Sequence, residues 1–405
     1  MYKPKVMTNQ HTSTSCRVFL TTTAIILTVN IANAQNEPKS MMGKDIEFVA
    51  ADSLFSIKFS PTIQIRYQGE DNPSTGNWDD RMLIRRARLK FDGFAYSPKL
   101  KYAIQLGFSN EDKGGEPRKE NNFSSNIILD AVVKWNIVST LELWAGQTKL
   151  PGNRERLISS NKMQFVDRSL LNSEFNIDRD MGLQLHYQHH IGNVVFREIG
   201  SISMGQGRNI TVDNAGGYDY TARLEILPFG EFEKGGDYVG SDMEREQTPK
   251  LALAAAFDYN DGASRAQGQT DNFLSEQRNL RTLFVDAMFK YKGFSAMAEY
   301  ANKKAPDGPV VLLNDLGGVE ETYITGNAFN IQAGYLFLNN WEVAGRFTNF
   351  DPTRITGLIA EKQYTFGISK YIAGHDLKVQ ADATLNHLQN QRDNGQYRVQ
   401  LQLSL

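Results

Sequence analysis

The sequence predicts an all-β protein, a 16-stranded antiparallel β-barrel that crosses a lipid bilayer. Three observations predict it. Segments of about ten residues between Leu54 and Leu405 alternate apolar and polar side chains, and sixteen can be counted. Their connectors alternate between long and short. The last segment, Tyr397 to Leu405, is apolar at every odd position and ends the chain. A strand points successive side chains to opposite faces, so such a segment has one face for lipid and one for water.

Residues 1–34 read as a leader rather than as part of the fold. Lys3, Lys5 and Arg17 precede an apolar run from Val18 to Ile31, and Ala32-Asn33-Ala34 follows as a small-x-small cleavage site near Ala34. This is the pattern of a secretory signal peptide. The only cysteine, Cys16, lies ahead of the apolar run, so disulfides and thiolate metal sites are not expected in the exported chain. Removing the three leader cations leaves 41 Lys and Arg of the 44, against 46 Asp and Glu, a net charge of −5. That balance argues against a nucleic-acid partner. No run of 18 apolar residues follows the leader, which excludes a helical membrane protein. Residues 35–53 are polar with scattered apolar positions and read as a periplasmic segment, either a short helix or disordered.

The barrel proper is expected over 54–405. The first strand runs from about Leu54 to Tyr67, with Phe55, Ile57, Phe59, Ile63, Ile65 and Tyr67 on one face and a bend at Pro61. The second, about 82–93, turns Leu83, Ala87, Leu89 and Phe91 outward. Leu100–Phe108, Leu129–Trp135, Leu141–Ala145 and Met181–Tyr187 follow, then an irregular seventh strand at about 193–203 and an eighth from Tyr218 to Ile226. The second half repeats the pattern at Leu251–Tyr259, Leu283–Tyr291, Phe294–Tyr300, Phe329–Phe337, Trp341–Phe347, Tyr364–Ile368, Leu377–Leu385 and Tyr397–Leu405. Tyr, Trp or Phe near the ends of many rows fits two interfacial girdles. A ten-residue strand tilted by ~40° rises about 25 Å, the height of the apolar band.

Connectors after even strands are short, as at 138–140, 190–192, 292–293 and 339–340. Those after odd strands are long: 68–81, 109–126, 148–179, 204–217, 260–280, 304–327, 351–362 and 387–395. Short turns on the periplasmic side and long loops outside are the habit of outer-membrane barrels. Residues 228–249 break the rule, being long where a short turn is due.

Three stretches carry a family resemblance. They are Arg85-Arg86-Ala87-Arg88-Leu89-Lys90-Phe91-Asp92-Gly93, Leu143-Trp144-Ala145-Gly146-Gln147-Thr148-Lys149-Leu150-Pro151, and Phe165-Val166-Asp167-Arg168-Ser169-Leu170 followed by Arg179-Asp180-Met181-Gly182-Leu183. In order and spacing the chain from about Phe55 onward resembles the phosphate-selective porin O and P family of Gram-negative outer membranes. The resemblance implies a homotrimer of 16-stranded barrels in outer-membrane lipid, inserted by the barrel-assembly machinery. It also implies a third extracellular loop, here about 148–179, folded into the lumen as a constriction. The chain ends in Leu405 where such barrels usually end in Phe, and it shows only part of the dense arginine array of the family's name-giving members.

A charge on the lipid face costs about 2–4 kcal/mol at the midplane, so the charged face of each strand is assigned to the lumen. Strands 1–3 then direct Lys58, Arg66, Arg86, Arg88, Lys90, Lys99 and Lys101 inward against Asp92. Strands 9–13 direct Asp258, Asp286, Glu299 and Glu342 inward against Lys290 and Arg346. A basic wall facing an acidic wall sets a transverse field across the water. The constriction loop carries Lys149, Arg154, Arg156, Lys162, Arg168 and Arg179 with Glu155, Asp167, Glu174, Asp178 and Asp180, a nearly neutral mixture.

The expected function is an outer-membrane porin for passive diffusion of small hydrophilic solutes, weakly anion-preferring, with phosphate among the candidate anions. The alternative is a plugged barrel with a structural or adhesive role through its long loops; a soluble secreted β-sandwich is a third reading. Neither a cofactor nor a metal is expected: of His186, His189 and His190, two abut a turn. An enzyme is not expected either, because His375 and His387 have no serine in phase.

Overall fold

Alternation along the chain becomes a closed wall of antiparallel strands. The computed structural model describes residues 46–50, 54–71, 75–113, 126–214 and 216–405; the leader and residues 35–45 and 51–53 lie outside the described residues. One sheet of 18 strands runs round the molecule. Two are short, β1 (Ile46–Val49) and β2 (Ser56–Phe59), and the other sixteen make the barrel. These are β3 (Thr62–Asp71), β4 (Trp78–Ala95), β5 (Ser97–Gly107), β6 (Ile128–Val138), β7 (Leu141–Lys149), β8 (Arg179–Ile191), β9 (Val194–Ser203) and β10 (Asp219–Leu227). A hairpin, β14 (Val311–Leu313) and β15 (Val319–Thr322), decorates one loop of the second half. The barrel strands there are β11 (Lys250–Arg265), β12 (Phe273–Tyr291), β13 (Phe294–Lys304), β16 (Gly326–Leu336), β17 (Trp341–Pro352), β18 (Glu361–Ala373), β19 (Leu377–Leu388) and β20 (Asn394–Ser404).

Each barrel strand pairs with its sequence neighbours, and β20 closes on β3 in register from Gln396↔Glu70 to Ser404↔Thr62. Closure leaves no free edge along the wall, so every backbone polar group that meets lipid has a partner within the sheet. Short turns rely on left-handed residues: Lys292 and Gly293 have φ of 48° and 90°, and Asn340 has φ of 61°. Such angles match hairpin twist.

The outer face is the predicted apolar one. Ile63, Ile65, Leu183, Leu224, Leu253, Val285, Ile331, Val399 and Leu401 are all exposed on it. An arginine at Val285, well inside β12, is expected to cost about 2–4 kcal/mol. The Val285→Arg protein should therefore lose its compact, heat-modifiable gel band at a lower temperature than the parent.

The first strand is as expected: β2 and β3 are one strand interrupted at Pro61, where Lys58↔Asp92, Phe59↔Phe91 and Thr62↔Arg88 keep a single register against β4, and Ser60 N–H donates to Lys90 O across the gap at 2.9 Å. Three details depart from the expectation. First, residues 46–49 are neither helix nor disordered. They form β1 against β2, with Ile46 opposite Phe59, below the point where β20 ends. Ile46-Glu47-Phe48-Val49 suits a strand, and the free edge of β2 offers it a ladder. Second, β11 and β12 reach to Arg265 and back from Phe273, so most of the predicted 260–280 loop is an extended hairpin. Third, Leu83 does not face lipid. A β-bulge at Arg85 shifts the phase of β4, pairing Gln64 with Arg86 but Ile65 with Ile84. Ile84 and Met82 therefore point outward, and Leu83 lies opposite the inward Arg66.

Candidate functional site

Inside the barrel the chain supplies its own filling. Residues 150–178, between β7 and β8, carry two short helices, α2 (Arg154–Leu157) and α3 (Leu170–Phe175). Ser169 caps α3 by accepting from Asn172 N–H at 3.3 Å. The segment bonds to inward side chains all round the wall. Gln64 and Gln402 donate to Ser160 O and Asn161 O at 3.4 and 3.0 Å. Lys378 donates to Met163 O at 2.9 Å, Val166 N–H donates to Asp382 at 3.1 Å, and Glu155 N–H donates to Glu299 at 2.7 Å. Leu150, Leu171, Phe175 and Ile177 pack on Ala256, Phe284, Ala301, Ala328 and Phe350. Those partners sit on inward positions of β11, β12, β13, β16 and β17, so that side of the interior is a dry core.

On the opposite side a cavity of about 430 Å³ lies between the segment and the wall. Nine arginines line it: Arg85, Arg86, Arg88, Arg156, Arg168, Arg179, Arg208, Arg346 and Arg398. The acidic lining residues are Glu111, Asp112, Asp167 and Asp178. Asp167 anchors one edge. Arg66 Nη1 reaches its Oδ2 at 2.8 Å, and Arg85 and Arg86 approach its carboxylate at 3.5 Å each. Burial opposes ionisation of this carboxyl, but Arg85, Arg66 and Arg86 outweigh it and hold Asp167 well below the usual carboxylate range. Burial pulls the neighbouring Arg168 guanidinium down to about 10, although Glu155 and Asp167 favour its charge.

Several cationic groups are already matched. Arg88 bonds to Asp112, Arg156 to Asp178, Arg179 to Asp130 at 3.0 Å, and Arg398 to Asp382 at 2.6 Å. On the lining arginines, four buried N–H groups have no acceptor among the described residues: Arg86 Nε, Arg156 Nε, Arg208 Nη1 and Arg346 Nε. Buried donors nearly always bond to something, so these four are unmatched positive groups at the cavity's edge.

The sequence-predicted residues divide between these two environments. Arg66 and Arg86 meet at Asp167, and Arg88, Arg156 and Arg168 line the same cavity. Lys149 caps α2, donating to Leu157 O at 3.0 Å, and Lys162 is exposed. Lys90 pairs with Asp92 at 2.7 Å, Lys101 approaches Glu142 at 4.0 Å, and Lys58 lies opposite Asp92; these three are at the short-turn end, away from the cavity.

The acidic set differs from an open wall facing water. Asp258, Asp286, Glu299 and Glu342 are all buried. Asp286 receives Arg154 Nε at 2.6 Å and Arg223 Nη1 at 2.7 Å, and Glu342 receives Gln164, Ser241 and Tyr371 at 2.6–2.8 Å. Arg154 accordingly leaves the cavity side altogether and is fully buried among Asp286, Glu225 and Asp237.

The wall and its filling form a recognisable assembly. The model of the phosphate-selective porin O and P family matches residues 57–403. The chain belongs to that family. No curated protein sequence matches it. Among solved structures, this porin is similar to the anion-selective porin from Comamonas acidovorans (12% identity, 87% of this chain and 100% of that one, TM-score 0.52). It is also similar to the outer membrane channel DcaP of Acinetobacter baumannii (11% identity, 88% and 99%, TM-score 0.52). A third similar structure is the trimer form of OmpT of Vibrio cholerae (10% identity, 87% and 99%, TM-score 0.51). At such identities these likenesses concern the fold. With the family established, the short-turn end of the barrel is the periplasmic end of an outer-membrane porin.

Sequence reasoning missed Arg85, Arg208 and Arg398. Arg85 faces inward only because of the bulge, which strict alternation hides. Arg398 was within reach: it shares the inward row of the last strand with Gln400 and Gln402. Arg208 sits in a loop, where no periodicity applies.

Proposed function

We propose that this porin is a passive, non-catalytic channel for small hydrophilic solutes with a preference for anions, and that phosphate is one of the anions it passes. The observation that carries the reading is the cavity between residues 150–178 and the wall, where nine arginines face four carboxylates. In this reading residues 150–178 are the constriction, and the solute passes on its arginine side, exchanging hydration for guanidinium contacts. The chain is exported with cleavage near Ala34, handed to the barrel-assembly machinery, and assembled as a homotrimer in outer-membrane lipid. The trimer form of the structurally similar Vibrio protein supports that last point.

Reversal potentials in a planar bilayer under a salt gradient test the selectivity. Permeability to chloride above that to potassium is expected, with three equal conductance steps per insertion. A cation preference would overturn the anion reading. The filled half of the interior lends weight to a plugged structural barrel as the competing reading. Complete absence of conductance steps from correctly folded protein would establish that one instead.

A further inference from the structure

Residues 228–249 join β10 to β11 at the periplasmic end, where a two-residue turn would suffice. They do not hang below the barrel. Asp237 and Ser241 are fully buried, and Phe232, Asp242 and Glu246 nearly so. Phe232 packs with Ile158 and Met163 of the constriction segment and with Val195, Met288 and Met297 of the wall, a second dry cluster inside the barrel. Polar contacts continue the seal. Gly240 N–H donates to Lys162 O at 2.8 Å, Tyr238 donates to Glu225 at 2.7 Å, and Ser241 donates to Glu342 at 2.7 Å. Lys290 Nζ in turn donates to Ser241 O at 2.6 Å. Gly240 allows the closest approach: a Cβ there would meet Gln164 N at 2.5 Å.

Two segments thus enter from opposite ends of the pore and meet at Gly240 and Lys162. What they cover together is the carboxylate-bearing side of the lumen. Glu225, Asp286, Glu299 and Glu342 stand there beside Arg197, Arg223 and Lys290 of the wall, so this side is of mixed charge, unlike the arginine-lined cavity.

We propose that the 228–249 segment is a selectivity plug. It closes the half of mixed charge from the periplasmic side and confines permeation to the arginine half. This rests on the anion-channel reading and adds the element that enforces it. An ion passing a mixed ring of charges sees partial cancellation, whereas one held to a single wall sees mainly one sign. The segment is therefore part of the filter although it contributes no lining arginine to the cavity.

The test compares the parent with two variants in planar bilayers, using potassium chloride. One variant replaces 229–248 by Asn-Gly, a hairpin turn. The other is Gly240→Val, which keeps the chain length and wedges the two segments apart. The turn variant is expected to raise single-channel conductance, because the volume the segment fills at the periplasmic end gains water, and to shift the reversal potential away from anion preference, because ions are no longer held to the arginine side. Gly240→Val should shift both quantities in the same direction, less far. If the turn variant does not fold, Gly240→Val decides the matter alone. Parental conductance and reversal potential in the folded variants would overturn the plug. If the parent itself proves cation-preferring while the variants still conduct more, the plug stands and the anion reading falls.

Discussion

Asp286→Ala is expected to destabilise the porin by about 3–5 kcal/mol, the cost of leaving buried charge without its partner. Asp286 sits on β12 and accepts from Arg154 Nε at 2.6 Å and from Arg223 through both Nη atoms at 2.7 and 3.0 Å. Both arginines are fully buried, so neither can recover hydration by turning to water. Glu225 remains beside them, but it is already bonded to Arg223 at 2.8 Å and to Tyr238 at 2.7 Å. The deficit falls on Arg154 at the start of α2, so residues 150–178 should loosen along with the wall. Thermal unfolding by gel mobility measures the first effect. Larger and noisier conductance steps measure the second. Replacing Arg154, Arg223, Glu225 and Asp286 together by apolar residues of similar size, which leaves the Arg197–Asp237 pair in place, should recover much of the stability, because an absent ion pair incurs no desolvation. Equal melting of parent and Asp286→Ala would show that water reaches this cluster.

Arg85→Gln with Arg86→Gln is expected to remove most of the anion preference while leaving the fold intact. Each charge acts on an ion about 7 Å away with roughly 0.6 kcal/mol at a water-like dielectric. Losing two changes the local anion excess by about sevenfold, and by less at high salt, where screening shortens their reach. The pair is chosen because both lie beside Asp167 and line the cavity. Arg85→Lys with Arg86→Lys separates charge from shape. Lysines preserve the potential but not the planar fork that grips an oxyanion in two places. The lysine protein should keep its reversal potential and lose any block by phosphate. An unchanged reversal potential in the glutamine protein would place the permeation path elsewhere.

The barrel was legible because lipid and water impose a two-residue period that survives in every strand. The sixteen rows, the direction of the chain and the odd length of 228–249 all follow from that period and from the connectors. What strict alternation could not reveal were its local failures. The bulge at Arg85 moves Leu83 inward and brings two consecutive arginines to one face, because an extra residue in one strand reverses the phase beyond it. The pairing of inward charges was equally hidden. Asp286 and Glu342 read as water-facing from their phase, yet water is displaced from them by Arg154, Gln164 and Ser241, residues far away in sequence. Long loops carry no period, so nothing in 150–178 itself announced which of its arginines would be walled in and which would border the cavity.

The seam between β3 and β20 sets the order in which the molecule can be built. Thr62 and Ser404 bond across it at 3.1 Å although they are 342 positions apart in the chain. The last residue, Leu405, completes the ladder by donating to Pro61 O at 3.1 Å. The same seam grips the interior: Gln64 donates to Ser160 O and to Gln402, Arg66 to Val166 O, and Gln402 to Asn161 O. These contacts join both margins of the wall to one interior segment, and they arise only when all three are together. A sealed cylinder admits such a segment poorly, whereas an open, curling sheet can wrap around it. The interior segment is thus a mandrel for the wall. The pairing of β20 with β3 sews the wall shut around contents already in place.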